Sequence, residues 1–404
     1  MLLGLISIAA KRLKTALITQ LLNTYIYLDN AATTRLDPEV LTAMMPYLTD
    51  KYGNPSSIHA LGRQTRAAIE QARKQVARCI NASVGEVFFT SCGTESNNMA
   101  LMGAVRDWGV QHIITSKIEH HCVLHSSQGL GKTANVQVHY LPLLPNGHLN
   151  LEHLAGLLQQ LKSEPKIVSL MHANNEIGNL LDLPLVSQLC QQYNAYFHTD
   201  TVQTIGYYPV DVQKTYIDLL SGSAHKFHGP KGVGFIYINS NHHISPLLLG
   251  GSQERNMRAG TENVHNIVGL GKAIELAYQT LPQTCAHIAQ LKTHLIGRLQ
   301  NEIDNVVFNG DAANLDKSHY KIVNAAFDIK AESAGLLLLN LDIEGICASG
   351  GSACSSGVDV GSHVLEAIDP TNERANIRFS FSKYNTIEEL DVTVDKLKQI
   401  LKHR

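Results

Sequence analysis

No two cysteines in this 404-residue sequence stand in a C-x-x-C arrangement, and the total of seven is odd and thinly spread. That argues against a disulfide framework and weakens structural zinc or a thioredoxin-like pair. Reduced thiols in a cytoplasmic setting fit best, and no metal is expected. An excess of one charge is also missing: 33 Lys and Arg face 35 Asp and Glu, for a net charge of −2. A chain so balanced offers no domain-wide basic surface for nucleic acid or an anionic membrane. No apolar run reaches the roughly 18 residues needed to cross a bilayer. Neither G-x-G-x-x-G nor G-x-x-x-x-G-K-[ST] occurs, which disfavours dinucleotides and nucleoside triphosphates. Internal repeats and low-complexity tracts are absent as well.

Acidic residues are missing from Met1 to Asn23, where Lys11, Arg12 and Lys14 interrupt two short apolar runs. A secretory signal places its charges before the apolar core, so that reading fails. Residues 1–24 are expected to be a disordered extension; a basic organelle-targeting segment is the alternative.

Beyond residue 24 the chain alternates short apolar runs with helical stretches. Strands are expected at Val87–Thr90, His112–Thr115, Ile167–Met171, Ala195–His198, Ile217–Leu220 and Gly234–Ile238. Helical spacing runs over Arg63–Asn81 and Leu183–Tyr193. Asp37-Pro38-Glu39 reads as a helix start, with Asp37 as cap. Such alternation predicts an α/β fold with a mostly parallel sheet covered by helices. Near Pro282 the pattern changes to a long helix (His287–Ile303), strands and a closing helix (Thr386–Lys402). The expected division is a large domain over 38–270 and a smaller α+β domain from 25–37 plus 271–404, the boundary falling around 265–285.

Ligands of open parallel sheets bind beyond the carboxyl ends of the strands, and four expected strands end in reactive polar clusters. Ser91 to Asn98 holds Gly93 for a tight turn and Thr94 for a hydroxyl, where a starting helix suits one phosphate; a plain capped helix start fits as well. In His198-Thr199-Asp200-Thr201-Val202-Gln203, the Asp200 carboxylate either meets a cation such as a protonated pyridine nitrogen or caps the next helix. In Ser221 to Gly232, Lys226 either reaches inward to a carbonyl as a Schiff-base amine or is a surface lysine in a Gly-rich loop. Glu119-His120-His121-Cys122 offers metal ligands too close together for one tetrahedral ion, and a His120 ring stacked on a planar cofactor is at least as good a reading. His121 and Cys122 are taken as ordinary structural residues.

Taken together, the residues resemble the cysteine desulfurases of the class V aminotransferase family, the group serving iron–sulfur cluster and nitrogenase assembly. The resemblance runs from about Tyr25 to the last helix. It is carried by Tyr27 to Thr34 (YLDNAATT), Gly53 to Ser57 (GNPSS), Thr94 to Asn98 (TESNN) and Met171 to Gly178 (MHANNEIG). It continues through His198-Thr199-Asp200, Ser223-Ala224-His225-Lys226, Arg258 to Asn263 (RAGTEN) and Gly351 to Ser356 (GSACSS). It implies the aminotransferase-like fold of pyridoxal 5'-phosphate (PLP) enzymes, with a seven-stranded sheet in the large domain, and a homodimer with shared sites. By the same resemblance Lys226 bonds the cofactor, Asp200 pairs with its ring nitrogen and His120 stacks on the ring. Gln203 and Asn175 bond the ring hydroxyl or the substrate. Gly93, Thr94, Ser223 and His225 form the phosphate site, joined by Thr261 from the other subunit. Cys92 departs from the small residue usual before Gly93.

The resemblance further implies that Arg378 binds the substrate carboxylate, a task suited to a planar bidentate fork. Cys354 matches the sulfur-accepting nucleophile, and its Gly- and Ser-rich setting suits a mobile loop. Its spacing to Val364-Leu365 resembles the long-loop type that donates directly to scaffold proteins. The implied activity is conversion of L-cysteine to L-alanine, with sulfur passing to Cys354 and on to an acceptor or scaffold protein. The alternative is a selenocysteine lyase or another class V PLP enzyme.

Overall fold

The structure, a computed structural model, describes residues 25–350 and 361–402. Its strands are β1 (Ile26–Tyr27), β2 (Val87–Thr90), β3 (His112–Ser116), β4 (Gln137–Leu141), β5 (Lys166–Ser169) and β6 (Tyr196–Asp200). They continue with β7 (Leu219–Ser223), β8 (Gly234–Ile238), β9 (Val307–Phe308), β10 (Ile322–Lys330), β11 (Ile346–Cys347) and β12 (Arg374–Ser380). Seven of them form one sheet in the order β2-β8-β7-β6-β5-β3-β4. The run β7-β6-β5-β3-β4 is parallel, and β8 lies antiparallel between β7 and β2.

Five strands of this sheet, β2, β3, β5, β7 and β8, are buried along their whole length. Both faces of the sheet are therefore covered, and the sequence shows continuous apolar runs where a half-exposed sheet would alternate. The edge strand β4 is half exposed; its mixed pattern gives no such run, and no strand is expected there from the sequence. The expected strands fall within two or three residues of the observed ones. The long helix is longer than its periodicity implies, Leu281–Glu302, with Pro282 in its first turn.

A second, antiparallel sheet, β12-β10-β9, and the short parallel pair β1-β11 are built from the two ends of the chain. Asp37 caps the helix Pro38–Leu48, accepting from the Glu39 N–H at 2.9 Å. Helix Gly93–Trp108 starts directly after β2 and closes on Gly109 at φ 64°, a left-handed turn that favours glycine. No helix among the described residues is long and apolar enough to cross a membrane.

One buried ion pair ties the outer helix to the sheet. Arg73 Nη1 and Nη2 donate to Glu254 at 2.6 and 2.9 Å, and Glu254 also accepts from the Phe89 N–H at 2.8 Å. Arg73 is 1% exposed and Glu254 5%. Removing one partner of such a pair strands the other charge in the interior. Glu254→Gln should lower unfolding stability by about 3 kcal/mol, read from the denaturant midpoint at unchanged slope; a loss within experimental error would show that Glu70, 3.2 Å from Arg73 Nε, compensates the charge alone.

Candidate active site

Ends of four parallel strands and of β2 converge on a cavity of 310 Å³. Gly93, Thr94, His120, Asn175, Asp200, Gln203, Ser223, His225, Lys226 and Arg378 all line it. Thr261 does not; it is exposed on its own chain. Cys354 lies outside the described residues.

Lys226 closes a one-turn 3-10 segment after β7. Its Nζ donates to the carbonyl oxygens of Ala31 and Ala32 at 2.7 and 2.8 Å, so the side chain points into the fold rather than into water. Asp200, at the end of β6, is held at both oxygens: Oδ1 accepts from the Val202 N–H at 2.9 Å and Oδ2 from Asn97 Nδ2 at 2.7 Å. Asp200 thus caps the turn that follows β6, with no helix directly after it, and lines the cavity. Gln203 Nε2 donates to Ala31 O at 3.0 Å.

His120 sits on the other wall. Its Nδ1 accepts from the Cys122 N–H at 3.2 Å and lies 3.0 Å from Cys122 Sγ. Burial, partly opposed by the Asp200 charge, pushes the imidazole below its ordinary value, so the ring is neutral at neutral pH. A neutral ring suits stacking. His225 is pushed down to about 3 by burial and by the nearby Lys226 charge, and its Nδ1 lies 3.1 Å from Thr33 Oγ1.

Arg378 on β12 is 2% exposed. Nη1 donates to Asn175 O at 2.9 Å and Nη2 to Asp29 Oδ1 at 2.7 Å. Among the described residues, buried atoms of the lining without a hydrogen-bond partner include Asn97 Oδ1, Gln203 Oε1, Ser223 Oγ, His363 Nδ1 and Arg378 Nε. Buried polar atoms left so are costly, and here they cluster around one space.

The structure adds to the sequence reading at several residues. His121 and Cys122, taken as structural, both line the cavity, and Cys122 Sγ also accepts from Asn97 Nδ2 at 3.2 Å. Burial, with the Asp200 charge behind it, pushes that thiol up to about 12, so it is no nucleophile near neutral pH. Asn97 and Asp29 carry no role in the sequence reading, although each lies inside one of the family motifs and fixes a site residue. Glu119 escapes it too: it is 1% exposed and accepts from the Met171 N–H at 3.0 Å and the Ser116 hydroxyl at 3.0 Å. Among the described residues no three His, Cys, Asp or Glu converge as metal ligands.

The family model for aminotransferase class V matches residues 26–393. The chain belongs to the class V aminotransferases. It is 46% identical over 381 residues, 93% of this chain and 94% of the relative, to the cysteine desulfurase IscS of Dictyoglomus turgidum. Among solved structures, a NifS-like protein matches with a TM-score of 0.85 at 36% identity, covering 94% of this chain and 100% of the other. A structure of SspA in complex with cysteine matches with a TM-score of 0.76 at 30% identity, covering 89% of this chain and 99% of the other.

Residues of this class V site fit a pyridine ring bearing a phosphate. Asp200 offers a buried anion to a protonated ring nitrogen, and Gln203 Oε1 an open acceptor. Ser223 Oγ and the N-terminus of helix Gly93–Trp108 offer donors for phosphate. A Cβ on Gly93 would lie 2.6 Å from Val202 Cγ2, so the helix packs this closely against the turn after Asp200 only with glycine there.

Burial lifts the Glu119 carboxyl to about 8, against the Met171 and Ser116 donors and with a further push from Asp200. A carboxyl raised on folding contributes most below its unfolded value, and that contribution is lost as pH rises through the folded one. The melting temperature should therefore fall between about pH 4.5 and about pH 8, and Glu119→Gln, which keeps an acceptor but does not titrate, should flatten the fall. Identical slopes for the two proteins in thermal melts would remove Glu119 as the cause.

Proposed function

We propose that this class V enzyme is a PLP-dependent cysteine desulfurase that converts L-cysteine to L-alanine and passes the sulfur to Cys354. The carrying observation is Lys226 Nζ held inside a cavity whose walls bear Asp200, His120, Ser223 and Arg378. When bound, PLP supplies an electron sink for charge developing at the α-carbon of an amino acid.

The chain's own groups do the rest. Arg378 lines the cavity while Asp29 and Asn175 O fix its two outer nitrogens, so the guanidinium is pre-oriented for a substrate carboxylate. Lys226, as a neutral amine, takes the α-proton. Asn97 and the Val202 N–H keep the Asp200 carboxylate fixed. Cys354, as thiolate, attacks the substrate sulfur: an S–S bond forms, the C–S bond breaks, and the carbon fragment takes up a proton to leave as alanine. The residues flanking 351–360 are held at this cavity. Ser349 pairs through its backbone with Arg378, and Ser362 Oγ donates to Glu176 Oε2.

A homodimer with Thr261 completing the partner's phosphate site is part of the same reading. Thr261 is exposed, and its loop is braced by Arg258 on Glu95 at 2.9 Å. Leu41, Met45 and Leu48 lie on one exposed face of helix Pro38–Leu48, near the exposed Tyr52 and Ile58, an apolar surface of the kind a subunit contact covers. The reading also takes the cytoplasm as location, a scaffold or other acceptor protein as sulfur recipient, and two domains divided as 38–270 and 25–37 with 271–404.

Lys226→Ala should lose the visible absorption of the lysine-bound cofactor, and Cys354→Ser should keep that absorption yet form no persulfide. Spectra, together with sulfide and alanine assays on L-cysteine, check both; persulfide-dependent turnover in Cys354→Ser sinks the sulfur step. Light scattering should give twice the 44.2 kDa chain mass. A monomer with full activity would end the shared-site reading.

A further inference from the structure

His120 and Cys122 meet at the start of helix His121–Thr133, and the hydrogen bonds between them admit a single assignment of protons. The Cys122 N–H points at His120 Nδ1 at 3.2 Å, the capping bond of that helix. A backbone N–H only donates, so Nδ1 carries a lone pair and the proton of the ring is on Nε2. Cys122 Sγ lies 3.0 Å from the same Nδ1. Since Nδ1 has no proton to give, the thiol is the donor in that contact.

The next link agrees. Asn97 Nδ2 stands 2.7 Å from Asp200 Oδ2 and 3.2 Å from Cys122 Sγ. A carboxylate oxygen only accepts, so the amide nitrogen is the atom beside it, and its second hydrogen goes to sulfur. Sulfur thus accepts from Asn97 and donates to His120, two roles that one thiol can fill together. Burial pushes this thiol up to about 12, which keeps the proton a donor needs. The backbone bond alone is at the long end of the usual range, so a second donor adds to it. We propose that Cys122 is a positioning residue whose S–H, with its backbone N–H, holds His120 in the tautomer protonated at Nε2. His120 then enters the reaction as a hydrogen-bond donor, and proton abstraction is left to Lys226.

Other groups act on the same ring. Burial lowers His120 most; among the charges, Asp200 at the end of β6 favours a proton on the ring, while Lys226 after β7, His363 on helix His363–Ile368 and His125 on the ring's own helix oppose it. A helix N-terminus disfavours a cation as well. His121 is pushed down by burial and by neighbouring imidazoles, and Glu119 is lifted to about 8. All of these stay in place when the thiol is removed, so a difference between variants reports the thiol.

The role in the reaction rests on the proposed PLP site, which the Lys226→Ala spectrum decides separately, whereas the tautomer is read without turnover. The experiment is nitrogen NMR of histidine-labelled holoenzyme, with His120 identified by the signals lost in His120→Gln. In the wild type Nδ1 should resonate as a hydrogen-bonded imine nitrogen and Nε2 as a protonated one. Cys122→Ala should move Nδ1 toward the position of an unbonded imine nitrogen. It should also raise the pH midpoint of ring protonation by about half to one unit, the contribution of one neutral hydrogen bond. Cys122→Ser, which keeps a donor, should restore both. A proton on Nδ1 in the wild type overturns the proposal. So does Cys122→Ala with the wild-type resonance and midpoint, since the backbone N–H would then suffice. A serine variant that behaves as the alanine one overturns it too, because the bulk of sulfur rather than its proton would matter. Should Cys122→Ala not accumulate, Cys122→Val, which also lacks a donor, is read in its place.

Discussion

Lys226 Nζ reaches two backbone carbonyls, those of Ala31 and Ala32, which lie nearly two hundred residues earlier in the chain. The turn from Asp29 to Thr34 that offers them is where the site is joined. Its Asp29 carboxylate holds Arg378, and its Ala31 N–H donates to Ser380 Oγ at 2.8 Å. Thr34 donates through both its N–H and its hydroxyl to His225 O. One short turn therefore fixes Lys226 after β7 relative to Arg378 on β12, two groups belonging to different sheets. Side-chain placement to a fraction of an ångström is what acid–base chemistry at a substrate carbon requires, and backbone carbonyls in a braced turn supply it at little cost in conformational entropy.

The polar interior around that turn works by sorting charge. Glu119 and His120 are held neutral by burial, and Cys122 is kept as thiol. The groups that stay charged are arranged in pairs or reserved for a ligand: Asp29 with Arg378, and Asp200 with its two donors and an open side toward the cavity. In a low-dielectric pocket a fixed charge acts more strongly than in water, so neutralising the neighbours sharpens the influence of those that stay.

Much of this is legible in the sequence because the chemistry sits at strand ends, and buried strands announce themselves as apolar runs. Gly93, Asp200 and Lys226 come directly after such runs, and the structure brings them to one cavity. The strand β4 is not legible: Gln137–Leu141 is a half-exposed edge with no apolar block. Asn97 is hidden for a different reason. It lies one turn into its helix, and only helical spacing from Gly93 turns it back toward Asp200. Asp29 depends on its contact with β12, and no local pattern encodes a partner so distant in sequence. The roles of Thr261 and Cys354 rest on the family resemblance alone, the first needing a second subunit and the second lying outside the described residues.

Two buried arginines show how function is distinguished from scaffolding when residue type and burial are the same. Arg73 spends every nitrogen inside the protein: Nε on Glu70, Nη1 on Val87 O and Glu254, and Nη2 on Glu254. Each of its nitrogens is engaged, so it is a fastener. Arg378 is equally buried but keeps Nε without a partner, beside a cavity wall. The lysines differ in place rather than in partners: Lys292 holds Ser318 Oγ at 2.7 Å and His319 O at 3.0 Å away from the cavity, whereas Lys226 holds two carbonyls on its wall. An interior donor left unmet costs roughly 1–3 kcal/mol, a cost offset when a carboxylate arrives. A place on the cavity wall, more than burial or residue type, thus separates Arg378 and Lys226 from Arg73 and Lys292.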